Sequence, residues 1–324
     1  MCTAVRIKTR NTYFGRTLDW DFPYPCEVTL TPREFPLDFR FESRCERHSA
    51  ILGMAYVKEG YPLYFDAVSE QGLAMAGLNF VGNAVYEKPS ENFCNVAQFE
   101  LIPFVLSRCA TVKEATALLE KTKVTDTPFS KDLPPAGLHW MLADKDESAV
   151  LEVVHSGVKI YPNPVGVLTN NPDFPTQLHN LNSFMNLSPR AARNNFSEKL
   201  SFREYSRGMG AIGLPGDFSS QSRFVRGAFA ALNSVCGDTE EESVGQFFHI
   251  MDTVGQPMGS CQVAEGAYER TLYTCCMNAD KGIYYYTTYE NRRINAIDMH
   301  RENLDSASLV RYPPIVDEDI NMIN

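Results

Sequence analysis

The sequence predicts an α+β protein in which antiparallel sheets are covered by helices on their outer faces. Strand-like segments come in hairpins rather than in alternating βαβ units, and helical periodicity is confined to two separated pairs. No Pro/Gly/Ser linker or internal repeat divides the 324 residues, so one domain is expected over 1–324. Thr3–Lys8 alternates polar and apolar residues and then meets Arg10-Asn11, the pattern of a strand entering a hairpin. Leu63–Val68 and Leu73–Asn79 are apolar runs around Glu70-Gln71-Gly72 and are expected to pair. Helical spacing follows over Ala97–Cys109 and Val112–Glu120, the second with Thr111 as N-cap. Strand patterns return at Leu138–Ala143, Ala149–Val154 and Val158–Tyr161, joined by polar turns. The second helical pair is Ser220–Val235 and Glu240–Met251, and three strands close the chain: Thr271–Met277, Ile283–Tyr289 and Ile294–Met299. Ser183–Gly208 is polar, rich in Asn and Arg and without periodicity, and reads as an excursion that contacts a neighbouring subunit.

Composition removes several function classes. Forty acidic residues against 30 basic give a net charge of −10 with no Lys/Arg run, which argues against nucleic acid and anionic membranes as partners. The N-terminal Thr-Ala-Val-Arg-Ile-Lys lacks a signal-peptide core, and no stretch reaches the ~18 apolar residues of a membrane span. Nine cysteines without a CxxC pair fit reduced thiols and a cytoplasmic location rather than a disulfide framework. Gly208-Met-Gly-Ala-Ile-Gly213 matches a dinucleotide fingerprint in letters alone, because Leu214-Pro215-Gly216 breaks the helix that must follow. The six histidines show no HxH or HExxH spacing, so neither a metal nor a cofactor is expected. His139, between Leu138 and Trp140, reads as a satisfied core residue. At least one of the vicinal Cys275-Cys276 pair should be buried, since neighbours on a strand face opposite ways.

Cys2 is the chemical candidate. Removal of Met1 would place a thiol of pKa ~8.5 beside an α-amine of pKa ~7.7–8.0, a nucleophile with its base on the same residue. Such a nucleophile needs a cation near sulfur to favour thiolate, a carboxylate to orient the amine, and donors for an oxyanion. Arg16 and Asp19 follow one hairpin strand later, Asn79 ends an apolar strand, Asn170 stands where another stops before Pro172, and Arg223 opens a helix. Each has an ordinary reading as well: an Arg–Asp pair is commonly a salt bridge, and an Asn before proline is commonly a turn residue. Spacing alone does not bring them together.

The motifs MCTA (1–4), FGRTLDW (14–20), EQGLAMAGLNF (70–80), LHWMLAD (138–144), GVLTNNPDF (166–174), GLPGDFSSQSRF (213–224) and KGIYYYTTYENRRINAIDM (281–299) span almost the whole chain. Together they resemble the choloylglycine hydrolase family of N-terminal nucleophile hydrolases, which contains bile salt hydrolases and penicillin V acylases. The resemblance implies an αββα sandwich and a catalytic set at Cys2, Arg16, Asp19, Asn79, Asn170 and Arg223, every residue type retained. Asn171 stands where some relatives carry serine. In that scheme Cys2 attacks an amide, Arg16 favours its thiolate, Asp19 orients the ammonium, and Asn79 and Asn170 hold the oxyanion. Arg223 adds positive field.

The substrate expectation also comes from the resemblance. Penicillin V acylases carry tyrosine at the position of Asn79, so Asn favours conjugated bile acids, with a penicillin or related N-acyl amide as the alternative. A non-catalytic sterol-binding role is a second alternative, one that a Cys2→Ser comparison of binding and cleavage separates. Leu18, Trp20, Phe22, Phe65, Phe129, Leu133 and Leu138 are apolar residues suited to lining a steroid pocket, whereas Lys58 replaces a bulky apolar residue. Ser206-Arg207-Gly208 aligns with a loop facing the amino-acid end of the conjugate and resembles the taurine-preferring type, where an arginine fork would meet a sulfonate. The resemblance and the polar excursion at 183–208 together suggest a homotetramer, and with no residue between Met1 and Cys2 activation is expected to require only the loss of Met1.

Overall fold

The computed structural model describes residues 1–324. Its N-terminal half runs through β1 (Cys2–Lys8), β2 (Thr12–Trp20), β3 (Glu27–Thr31), β4 (Ile51–Lys58), β5 (Tyr61–Ser69), β6 (Ala74–Asn79) and β7 (Cys94–Ala97). It continues through α1 (Leu101–Leu106), α2 (Val112–Leu119), β8 (Thr122–Thr125), β9 (Leu138–Ala143), β10 (Ser148–Val154) and β11 (Gly157–Pro162). After β12 (Val167–Leu168) come α3 (Phe174–Asn180), α4 (Ser220–Leu232) and α5 (Glu240–Asp252), then β13 (Cys261–Ala264), β14 (Ala267–Asn278), β15 (Ile283–Thr288), β16 (Asn295–Asp298) and β17 (Val310–Tyr312).

Two antiparallel sheets face each other. The first has the order β12-β1-β2-β14-β15-β16 with β13 on β14, and the second the order β11-β10-β9-β6-β5-β4-β3-β17. Helix α4 packs on β1 and α5 on β2 and β14, while α1 covers β5 and β6. Helices therefore lie outside both sheets, the expected αββα arrangement. One apolar core fills the space between the sheets and beneath α4 and α5, with Cys2, Leu18, Leu78, Met141 and Phe247 among its members. A second lies between β-strands and α1 and α2, with Met75, Trp140 and Leu101. No helix is long and apolar enough to cross a membrane.

Most sequence expectations fall on real elements. The first hairpin pairs Cys2 with Leu18 through to Lys8 with Thr12, and β5 and β6 pair across the turn at Gly72, whose φ is +90°. Thr111 caps α2 by accepting the Glu114 N–H, and Thr239 forms a reciprocal capping box with Glu242 at α5. Two helices are shorter than expected. Cys94–Ala97 pairs in parallel with β8, and Gln98–Glu100 makes a 3₁₀ turn, which leaves only Leu101–Leu106 as α-helix in place of 97–109. Helix α4 stops at Leu232, with Asn233 as its C-cap, instead of continuing to Val235. Both Cys275 and Cys276 are buried, because β14 is covered on both faces. The segment 183–208 holds no regular element beyond the 3₁₀ turn Leu181–Phe184 that enters it. The glycine-rich stretch that follows makes only the 3₁₀ turn Met209–Ala211, with no helix before Ser220.

Candidate active site

The hairpin β1–β2 sends its residues to two faces. Alternation puts Cys2, Arg16 and Leu18 on the side facing the second sheet, and Thr3, Thr17 and Asp19 on the side facing α4 and α5. Arg16 is fully buried and bridges the sheets: Nη1 donates to the carbonyls of Gly77 at 2.7 Å and Phe65 at 3.4 Å, and Nε to that of Thr17 at 3.0 Å. Nη2 donates to Cys2 Sγ. Burial opposes the charge on Arg16, but the facing Cys2, Tyr273 and Asp66 outweigh it and hold the guanidinium above its ordinary value.

Asp19 lies behind this pair. Its carboxylate accepts from Thr271 Oγ1 at 2.6 Å, Thr17 Oγ1 at 3.2 Å and Gln256 Nε2 at 3.3 Å, the first made possible by the register of β2 with β14. Met1 is present, so the Cys2 nitrogen is a peptide amide, and it donates to Asn170 Oδ1 at 2.9 Å. The Met1 ammonium donates to the Asp19 carbonyl at 2.8 Å and pairs with Glu269. Burial lowers its pKa, against the pull of Cys2 and Asp19.

Asn79 and Asn170 meet from opposite directions. Asn79 ends β6, and its carbonyl accepts from Asn170 Nδ2 at 2.8 Å, while its own Oδ1 accepts the Val81 N–H at 3.1 Å. Asn170 follows β12, with its backbone N–H on Ser220 Oγ at 2.8 Å. Asn171, by contrast, donates to the Val81 carbonyl at 2.8 Å. Arg223, on the first turns of α4, is buried and reaches three parts of the site. Nη1 donates to the Cys2 carbonyl and to Thr3 Oγ1, both at 2.6 Å, Nη2 to Asn170 Oδ1 at 2.7 Å, and Nε to the Phe218 carbonyl at 3.0 Å. Burial pushes its pKa down, with Asp19 and Cys2 pulling the other way. The structure thus gathers Cys2, Arg16, Asp19, Asn79, Asn170 and Arg223 into one hydrogen-bonded cluster. Arg223 makes more specific contacts than a general positive field would require.

The apolar candidates divide. Leu18 lies opposite Cys2 in the hairpin. Trp20, Phe22 and Phe65 form an aromatic group completed by Tyr24, whose ring is 5.8 Å from Phe22 and 5.4 Å from Phe65. Phe129 lies 5.2 Å from Phe99 and 6.1 Å from Tyr61, and its N–H donates to the Leu133 carbonyl at 3.2 Å. Tyr61, Leu63 and Phe65 alternate along one face of β5 and connect the two groups. Leu138 pairs with Asn79 but packs against the outer core with Trp140, on the side of β9 away from Cys2. Ser206, Arg207 and Gly208 are solvent-exposed and take no part in the cluster's hydrogen bonds; Gly208 has a φ of +83°. Lys58, at the end of β4, is half-buried.

Sequence reasoning passed over Tyr24, Gln256, Thr271 and Ser220. Only Tyr24 left a signal, the i, i+2 aromatic spacing Trp20-Phe22-Tyr24; the others act through pairings set far away in the chain.

The pattern is that of an amide-hydrolase sandwich with a cysteine at the start of the first strand. Residues 2–312 match the family model of linear amide C–N hydrolases, choloylglycine hydrolase family, and the chain belongs to that family. It is 50% identical over 313 residues to the bile salt hydrolase/transferase of Lactiplantibacillus plantarum, covering 97% of each chain. It is 34% identical over 329 residues to the bile salt hydrolase/transferase of Clostridium perfringens, covering 100% of each. A crystal structure of the C2A mutant of the conjugated bile acid hydrolase from Clostridium perfringens superposes with a TM-score of 0.93 at 34% identity, over all of both chains. Penicillin V acylase from Agrobacterium tumefaciens shares the fold with a TM-score of 0.74 at 20% identity, over 96% of this chain and 90% of that one.

Proposed function

We propose that this chain hydrolyses the amide bond of glycine- and taurine-conjugated bile acids, with Cys2 as an N-terminal nucleophile released by removal of Met1. The observation that carries the reading is the contact of Arg16 Nη2 with Cys2 Sγ inside a cluster that also grips the Cys2 main chain at both ends, through Asn170 Oδ1 and Arg223. The guanidinium stabilises negative charge on sulfur. Sγ attacks the amide carbonyl carbon, and the carbonyl π electrons move to oxygen. Asn170 is assigned to that oxyanion, a role supported by its fixed amide: Arg223 and the Cys2 N–H hold its Oδ1, so Nδ2 is oriented with one hydrogen on the Asn79 carbonyl and a second free. Asn79 is assigned to the same site. The freed α-amine of Cys2 takes the thiol proton and gives it to the departing amine as the C–N bond breaks. Water then adds to the thioester, the C–S bond breaks, and the bile acid and the thiol are released. Asp19, held rigid by Thr271, Thr17 and Gln256, orients the resulting ammonium.

The steroid is assigned to the aromatic run from Trp20, Phe22 and Tyr24 along Phe65 towards Phe129. Leu18 lies beside the sulfur. Taurine preference is assigned to exposed Arg207, whose fork suits a sulfonate. Segment 183–208 is assigned to a homotetramer contact, supported by Met185, Phe196 and Tyr205, which expose 88%, 82% and 85% of their surface. A cytoplasmic location accords with free cysteines throughout.

The test is a panel of taurocholate, glycocholate and phenoxymethylpenicillin with protein of known mass and light-scattering state. The expected result is faster turnover of bile salts than of penicillin, taurocholate first, by a tetramer, with no turnover by Cys2→Ser. Faster penicillin turnover would replace the substrate assignment, a glycocholate preference would remove Arg207 from it, and a monomer would remove the segment's role.

A further inference from the structure

Behind Asn79 and Asn170 lies a buried histidine that the mechanism above does not use. His139, on β9, is fully buried and stacks on Phe80, with ring centroids 4.2 Å apart and planes inclined by 7°. Phe80 directly follows Asn79. The Nε2 of the same imidazole lies 2.8 Å from the carbonyl of Thr169, the residue directly before Asn170. Its Nδ1 lies 3.3 Å from Oε1 of Glu152, itself 1% exposed, and that oxygen also accepts the Phe174 N–H at 2.8 Å. A carbonyl can only accept, so the hydrogen-bond network assigns a proton to Nε2. Nδ1 and the Glu152 carboxyl then share whatever proton lies between them.

One ring therefore touches the immediate neighbours of both Asn residues, one ending a strand of the second sheet and the other just past a strand of the first, 91 positions apart. We infer that His139 is a positioning residue for the oxyanion site, setting the spacing of Asn79 and Asn170 through its stack on Phe80 and its hydrogen bond to the Thr169 carbonyl, with Glu152 fixing the ring. This rests on the assignment of Asn79 and Asn170 to the oxyanion and deepens it. A shift of a few tenths of an ångström in either Asn weakens donors that act only on the transition state, so the loss belongs in kcat rather than KM. A histidine that merely filled the core would lower stability and leave turnover per folded molecule unchanged.

Two near-isosteres separate these roles. His139→Asn keeps a polar atom near Nδ1 but has nothing to offer Thr169, whereas His139→Gln returns an N–H near the position of Nε2. With taurocholate as substrate and the folded fraction measured by near-ultraviolet circular dichroism, His139→Asn should lose about 30-fold in kcat per folded molecule. Its KM should stay within about threefold, and His139→Gln should recover to within about fivefold of the parent. Equal losses in the two variants, or kcat within about twofold of the parent in both, would overturn the inference. Should His139→Asn fail to fold, Phe80→Leu reads the other contact by the same criterion: a kcat loss at unchanged KM supports the role, and unchanged kcat overturns it. A parent protein inactive on taurocholate would instead overturn the bile-salt reading.

Discussion

Arg223 illustrates how much of this site depends on the geometry of single side chains. A guanidinium there serves four acceptors at once: the carbonyls of Cys2 and Phe218, Thr3 Oγ1 and Asn170 Oδ1. A lysine ammonium at the end of a flexible stem cannot reproduce that fork. Arg223→Lys should therefore lower kcat at least tenfold and cost about 2 kcal/mol of stability, because buried acceptors lose charge-assisted partners. Steady-state kinetics and urea unfolding check the two halves, and unchanged kcat would show that neither Cys2 nor Asn170 needs the clamp. The residue types of the cluster stand in short motifs such as Phe14-Gly-Arg-Thr-Leu-Asp19, and the family resemblance of those motifs, rather than their spacing, tied them to one site. The supports were not legible. Gln256 and Thr271 reach Asp19 from more than 230 positions away, and nothing in their local sequence distinguishes them from other polar residues.

At the scale of elements, the site is held by the contact of β2 with β14. Gly15 leaves room for β14: a Cβ there would stand 1.9 Å from the Cys275 carbonyl oxygen. Gly15→Ala would force apart the two strands that align Asp19 with Thr271 and Leu18 with Tyr273. Overpacking of this kind should cost about 3 kcal/mol, seen as a lower urea midpoint, together with a loss of turnover. A variant as stable as the parent would contradict this packing. The hairpins β1–β2 and β5–β6 were readable because alternation and turn residues agree. β4 escaped notice because Ile51-Leu-Gly-Met-Ala-Tyr-Val is apolar without alternation, being buried on both faces along most of its length. Helix α1 was overextended at both ends, because Ala97 at the end of β7 and Phe99 in the 3₁₀ turn continue its apolar spacing before it, and Cys109 does so after its C-cap at Ser107.

At the scale of the whole molecule, the fold brings the ends of the chain together. Strand β14, late in the chain, inserts beside the N-terminal hairpin, and α4 closes over β1, so the site around residue 2 is completed by residues 170, 223 and 271. The sequence announced two covered sheets but not that order, since neighbours in a sheet need not be neighbours in the chain. The central claim, that Cys2 acts through a free α-amine, is tested most directly by one protein in two forms. A cleavable N-terminal extension ending immediately before Cys2 is kept on or removed, intact mass reports the fraction of free Cys2, and taurocholate hydrolysis is measured on each mixture. The expected result is no activity in the extended form and activity proportional to free Cys2. Full hydrolysis by protein whose mass retains the extension would contradict the mechanism.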